Sequence, residues 1–152
     1  MDRLDPTLTA SAAMKALALM ASSCASRHRD CQLLALVKAA TLTLTGGAHG
    51  RQLCARMVQA DAALAEKLAA LPYWRHAPIF SQTERAALRW IHCVAEARHQ
   101  DVSDTEYGEA RHHFSEEELA DLTMVAIAMT AWNQIARTFG PPGCARGPED
   151  IP

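Results

Sequence analysis

Five cysteines and seven histidines carry most of the nucleophilic and metal-binding potential of this chain. Cys54 follows Arg51 by about one helical turn, and a nearby guanidinium favours the thiolate, the form of cysteine that attacks an electrophile. His49 sits in the run Gly46-Gly47-Ala48-His49-Gly50. There it is either a general base or anion contact near a helix start, or a solvated histidine in a flexible glycine turn, and the flanking glycines favour the turn. Cys24, His28 and Cys31 would face one metal ion only if they shared a helix; the serines around them, with Arg27, Arg29 and Asp30, indicate a loop whose cations repel a dication. No metal and no cofactor is expected. His92-Cys93 and His112-His113 read as packing or helix-end residues, and Glu116, Glu117 and Glu118 as a run that complements a helix N-terminus.

An odd number of cysteines at irregular spacing, with no CxxC pair, fits neither a disulfide framework nor a zinc site. A Cys31–Cys54 bridge also fails on length. At roughly 1.5 Å per residue Cys31 lies about 22 Å of helix from the turn at Gly46 and Cys54 about 10 Å beyond it, so an antiparallel hairpin leaves them about two turns apart. A reducing cytoplasm is the expected location.

The elements that must position these residues are all helical. Three Ser-x-x-Glu boxes, at Ser81, Ser103 and Ser115, each precede apolar residues at three- and four-residue intervals, and no strand-like alternation occurs. The Ser81 helix runs through Leu88, Ile91 and Val94 toward Arg98 and His99, and the Ser103 helix is short. The Ser115 helix is the longest, ending where Gly140 caps it and Pro141-Pro142 forbid continuation. It is apolar nearly all round, with Met124, Ile127 and Ile135 opposite its main face, so it is either central or shared with another subunit. Upstream the pattern gives a first helix within Pro6 to Ser26, a second from an Asp30 cap to Gly46-Gly47, a third over Arg51 to Ala60, and a short alanine-rich one capped by Asp61 and ended by Pro72. The expected architecture is an all-α bundle of about six to seven helices. The segment Pro72 to Phe80, with Tyr73, Trp74 and two prolines, is too apolar for a free linker and should pack on the bundle or a neighbour. The tail from Gly143 reads as frayed.

A length of 152 residues favours one domain over residues 1–152, and 49% hydrophobic with 21% charged residues excludes disordered, collagen-like and rod-like chains. The net charge of −2, with no basic run, gives no support to nucleic acid or a polybasic membrane patch as a partner. Ala12 to Ala21 resembles a signal-peptide core, but Lys15 interrupts it and Asp2 and Asp5 stand where a basic leader belongs. No membrane span is expected.

One family resemblance emerges from motifs in order: Ser81-Gln-Thr-Glu-Arg-Ala-Ala-Leu-Arg-Trp90, Tyr107 with Ala110-Arg-His-His-Phe-Ser-Glu-Glu-Glu-Leu119, Asp121-Leu-Thr123, and Ala131-Trp-Asn-Gln-Ile-Ala136. The chain resembles the alkylhydroperoxidase D (AhpD)-like branch of the carboxymuconolactone decarboxylase family, most strongly over residues 81–139. The resemblance implies a helical protomer assembled into a homo-oligomer, a trimer or hexamer, and a family activity of thiol-dependent peroxide reduction in antioxidant defence. That chemistry uses a CxxC pair at a helix N-terminus, one thiolate attacking the peroxide and the other resolving the sulfenic acid. Aligned from Leu36-Val37-Lys38, the two cysteine positions fall on Gly47 and Gly50, the histidine position on Cys54 and the proton-relaying glutamate on Ala35. Glycine is no nucleophile and alanine relays no proton, so the family mechanism cannot run here. The resemblance also matches Trp132 and Asn133 to the family's Trp-Asn pair, expected in packing or in a pocket or interface with Arg51. The leading expectation is therefore a non-peroxidase relative that binds a small molecule near Gly47 to Cys54 or serves a structural role. The alternative is a one-cysteine thiol peroxidase in which Cys54 attacks and His49 or Arg51 assists.

Overall fold

The computed structural model describes residues 3–27, 30–97 and 99–140, and among these it is helical throughout, with no strand. Eight α-helices follow one another: α1 (Pro6–Thr9), α2 (Ser11–Arg27), α3 (Cys31–Thr45), α4 (Ala48–Ala60), α5 (Ala62–Ala70), α6 (Gln82–Glu96), α7 (Asp104–Arg111) and α8 (Glu116–Phe139), with a 3₁₀ turn at Leu71–Tyr73 between α5 and α6. This is the expected all-α class with one more helix than the sequence pattern gave. Asp5 caps a single turn that begins with Pro6, and Ala10 then leaves the helical region at φ −128° and ψ 40°, which divides the first segment in two. No glycine or internal proline marks that break. The segment expected to be a loop around Cys24 instead stays helical to Arg27. His28, Cys144 and the tail beyond Gly140 lie outside the described residues, and so does Arg98.

The caps explain most of the boundaries. Ser81 and Glu84, and likewise Ser115 and Glu118, form complete capping boxes in which each side chain meets the other residue's backbone N–H. The Ser103 box is half-formed. Ser103 accepts from the Glu106 backbone, but the Glu106 carboxylate turns to Arg89, taking hydrogen bonds from Nε at 2.7 Å and Nη2 at 3.0 Å. Gly46 and Gly140 end α3 and α8 at positive φ, 67° and 81°, a region costly for side-chain-bearing residues.

α8 is central, as one of the two expectations had it, and so is α3. α3 packs against α4, α5, α6 and α8, and buries Leu33, Leu34, Leu36, Val37, Ala39, Ala40 and Leu42. α8 packs on α2 and α3, with further contacts to α4, α6 and α7, and buries Leu122, Val125, Ala126, Met129 and Trp132, while Met124 and Ile127 stay 37% and 45% exposed as an uncovered apolar strip. A second apolar cluster joins Leu36, Ala40, Leu64, Leu71, Trp74, Phe80 and Leu88. That cluster holds the 72–80 segment onto the bundle as expected, although Tyr73 points outward at 73% exposure. Among the described residues, no helix is long and apolar enough to cross a membrane.

Candidate functional site: a glycine-closed turn and a polar cavity

Two places concentrate polar chemistry. The first is the α3–α4 turn, where the resemblance puts the redox motif. Gly46 and Gly47, at φ 67° and 101°, reverse the chain within two residues, so α4 starts at Ala48, three residues earlier than the sequence pattern indicated. His49 is therefore not a solvated loop residue. It lies in the first turn of α4, 7% exposed, and neither ring nitrogen has a hydrogen-bond partner. Burial pushes its pKa below the ordinary value, with Arg56 adding to the effect.

The space around Gly47 and Gly50, where the resemblance would put two cysteines, is occupied. A Cβ on Gly50 would stand 2.9 Å from the Leu42 carbonyl oxygen and 3.4 Å from Asn133 Oδ1, and one on Gly47 would meet the Arg137 side chain at 3.4 Å. Asn133, reaching in from α8, donates from Nδ2 to Thr45 Oγ1 at 2.8 Å and to the Gly46 carbonyl, while Arg137 donates to the Thr45 carbonyl at 3.1 Å. Asn133 Oδ1 is buried without a partner. Asn133 thus seals the end of α3 from within the protomer, and neighbouring Trp132 is 1% exposed in the core.

The other sequence candidates disperse. Cys54 faces α3, its thiol donating to the Ala39 carbonyl at 3.6 Å, with the Thr43 hydroxyl at 4.0 Å. Burial pushes its pKa up, only partly offset by Thr43, which disfavours the thiolate a nucleophile needs. Arg51 is exposed on α4 and is not among the groups that shift Cys54. Ala35 packs half-buried against the second apolar cluster. Cys24 is buried and Cys31 exposed, and no group of metal-binding side chains occurs among the described residues.

The second place was not foreseen. One face of α6, the start of the turn after Tyr73, and α7 line a half-open cavity of about 580 Å³. Arg85, Arg89 and Cys93 recur along α6 at helical spacing, Trp74 and Arg75 close one side, and Glu106 and His113 another. Trp74 Nε1–H donates to His92 Nε2 at 3.1 Å and the two rings stack at 5.4 Å, while the Arg75 guanidinium lies 4.5 Å over the indole. The Cys93 thiol donates to Glu106 at 3.5 Å, and burial with that carboxylate pushes its pKa up. The sequence flagged His92, Cys93 and the 72–80 segment as packing residues. A non-local pairing across 18 residues leaves no spacing signal that would have joined them.

Buried histidines with lowered pKa values give the fold a pH dependence. His49 and His92 both lie below the ordinary 6.5, each chiefly through burial. As pH falls, the unfolded chain therefore takes up protons first, and stability drops from about pH 6.5 downward toward the folded-state pKa values. Urea titrations should show the midpoint falling between pH 7.5 and 5.5, and His49→Gln should flatten that fall. An unchanged midpoint across this window would contradict the burial of both rings.

No family model matches the chain, and no curated protein does. Among solved structures, it is similar to a protein of unknown function from Agrobacterium tumefaciens, suggested by its description to be the antioxidant defence protein AhpD. The likeness has a TM-score of 0.82 at 23% identity and covers 93% of this chain and 97% of that one. The fold is thus the all-α AhpD-like fold.

Proposed function

We propose that this chain is a small-molecule-binding protein on the AhpD-like fold, without the thiol-peroxidase chemistry that its resemblance implies. Position 50 carries the reading: with the Leu42 carbonyl 2.9 Å from where a Cβ would be, the first turn of α4 has no room for a second active-site cysteine. Gly47, at φ 101°, sits where a cysteine backbone would be strained. The α6–α7 cavity offers a binding site in place of the lost one, and its volume falls within the range of about 300–1,000 Å³ common for small-ligand sites. We place the ligand there rather than near Gly47 to Cys54.

The proposal extends to organisation. Residues 1–152 act as one domain, and the Met124–Ile127 strip of α8 is the surface for a homo-oligomer, a trimer or hexamer by resemblance to the carboxymuconolactone decarboxylase family. Cys24, Cys31, Cys54 and Cys93 are all unpaired, which supports a reducing cytoplasmic location.

Peroxide consumption with an alkyl hydroperoxide and a dithiol reductant tests the reading. Wild type and Cys54→Ser should both stay at background, and iodoacetamide at neutral pH should modify Cys54 more slowly than the exposed Cys31. Peroxide consumption by wild type well above the variant, with sulfenic acid trapped on Cys54, would overturn the proposal in favour of the one-cysteine peroxidase.

A further inference from the structure

We infer that the α6–α7 cavity recognises a small carboxylate-bearing molecule, its anionic end held by Arg85 and the Nδ1–H of His92 and its apolar body against Ala86, Trp90 and Ala110. The assignment rests on the small-molecule reading above and names the chemistry of the ligand. Three observations lead to it, each independent of the others.

The first is the charge left over inside the cavity. Arg89 and Glu106 neutralise each other through their two hydrogen bonds, and the other charged residues of the lining, Arg75, Glu96 and Glu109, are all exposed, which leaves Arg85 as the half-buried charge without an ion-pair partner. Arg85 is half-buried, and its one protein hydrogen bond runs from Nη1 to the Ala77 carbonyl at 3.0 Å. Among the described residues no carboxylate lies within ion-pair distance of it. A guanidinium carries five N–H donors in a planar fork that matches a carboxylate in two parallel bonds, so most of the donor capacity of Arg85 is not taken up by the protein.

The second is the tautomer of His92. Because Trp74 Nε1–H donates to Nε2, that nitrogen is an acceptor and the ring proton is on Nδ1. Arg75, stacked on the far partner of this pair, and burial both oppose a second proton, while Glu96 favours it only as a lesser influence. The ring is therefore a neutral donor, and Nδ1–H has no acceptor among the described residues. Arg85 and His92 therefore both line the cavity with N–H donors that no protein group accepts.

The third is the apolar complement. Ala86 and Trp90 of α6 and Ala110 of α7 line the same space, and the Trp90 indole N–H is already spent on Thr123 Oγ1 at 2.8 Å. These three residues add apolar contact among the polar groups of the same walls, Arg89, Glu106, Glu109 and His113, which suits a small hydrocarbon body next to a carboxylate.

The test compares benzoate, its neutral isostere benzamide and the cation benzylamine, titrated into the full chain and followed by tryptophan fluorescence and calorimetry. Benzoate should bind saturably, benzamide at least tenfold more weakly, and benzylamine not at all. Arg85→Gln should weaken benzoate at least tenfold and leave benzamide unchanged, and Arg85→Lys should recover part of the loss, with circular dichroism verifying the fold of each. If Arg85→Gln fails to fold, the benzoate-to-benzamide ratio of the wild type decides. Equal binding of benzoate and benzamide, or preference for benzylamine, would overturn the carboxylate assignment and leave the small-molecule reading in place. Silence of all three probes on the folded wild type would overturn both.

Discussion

Placing cysteines at the two positions the resemblance assigns to the motif, as Gly47→Cys with Gly50→Cys, is expected to destabilise the protein by roughly 2–5 kcal/mol and to yield no dithiol peroxidase. Two costs combine. At position 47 the backbone sits at φ 101°, which a residue with a Cβ adopts only at a cost of about 1–3 kcal/mol. At position 50 the new Cβ meets a backbone oxygen, the Leu42 carbonyl at 2.9 Å, and not the end of a flexible side chain, so relief requires α4 to move away from α3. Overpacking of that kind costs about 1–3 kcal/mol, against which the helix-favouring loss of a glycine returns only about 0.5–1. Both positions also touch Asn133, so the two effects will not simply add. Urea unfolding of both single variants and the double variant checks the magnitude. A double variant as stable as wild type that consumed peroxide would show the glycines to be neutral replacements in an otherwise intact active site.

This outcome follows from a feature that the sequence shows only in outline. The resemblance assigns the motif's cysteine positions to Gly47 and Gly50; that the turn closes down around these glycines is not legible from the residues. The run of glycines reads as an open loop, whereas the reversal takes only Gly46 and Gly47 and leaves His49 and Gly50 already helical and buried. His49 consequently changes from a solvated side chain into one of the least satisfied polar groups in the core. Where a boundary rests on local chemistry, the sequence was sufficient: Asp30, Asp61, Ser81 and Ser115 cap the helices they were expected to cap. Ser103 shows the limit of such local reasoning. Its Glu106 leaves the box for Arg89, 17 residues away, because a two-bond guanidinium–carboxylate pair competes with a single backbone bond. The cavity is illegible for the same reason. Its walls come from three separate segments, and each residue, taken within its own helix, looks like surface charge or packing.

The wall that closes this cavity depends on Phe80, and Phe80→Ala is expected to cost about 3–5 kcal/mol of stability, in line with other buried aromatic truncations. The ring is 1% exposed and belongs to the cluster of Leu36, Ala40, Leu64, Leu71, Trp74 and Leu88. Nothing else as large anchors the C-terminal end of the 72–80 segment, which enters α6 at the Ser81 cap and so has little freedom to collapse into the vacated volume. Trp74 shares the cluster and simultaneously holds His92 and supports Arg75, so loss of Phe80 should also loosen the cavity wall. Chemical denaturation should therefore show a lowered midpoint, and Trp74 should become more accessible to a fluorescence quencher under native conditions. Tyr73→Ala is the matched control. It lies in the same segment but is 73% exposed, so its removal should change stability by no more than about 0.5 kcal/mol. Similar costs for the two variants would mean that the segment is held by its turns and prolines. A large cost for Phe80 alone would mean that the second apolar cluster positions Trp74, and through it the donor nitrogen of His92.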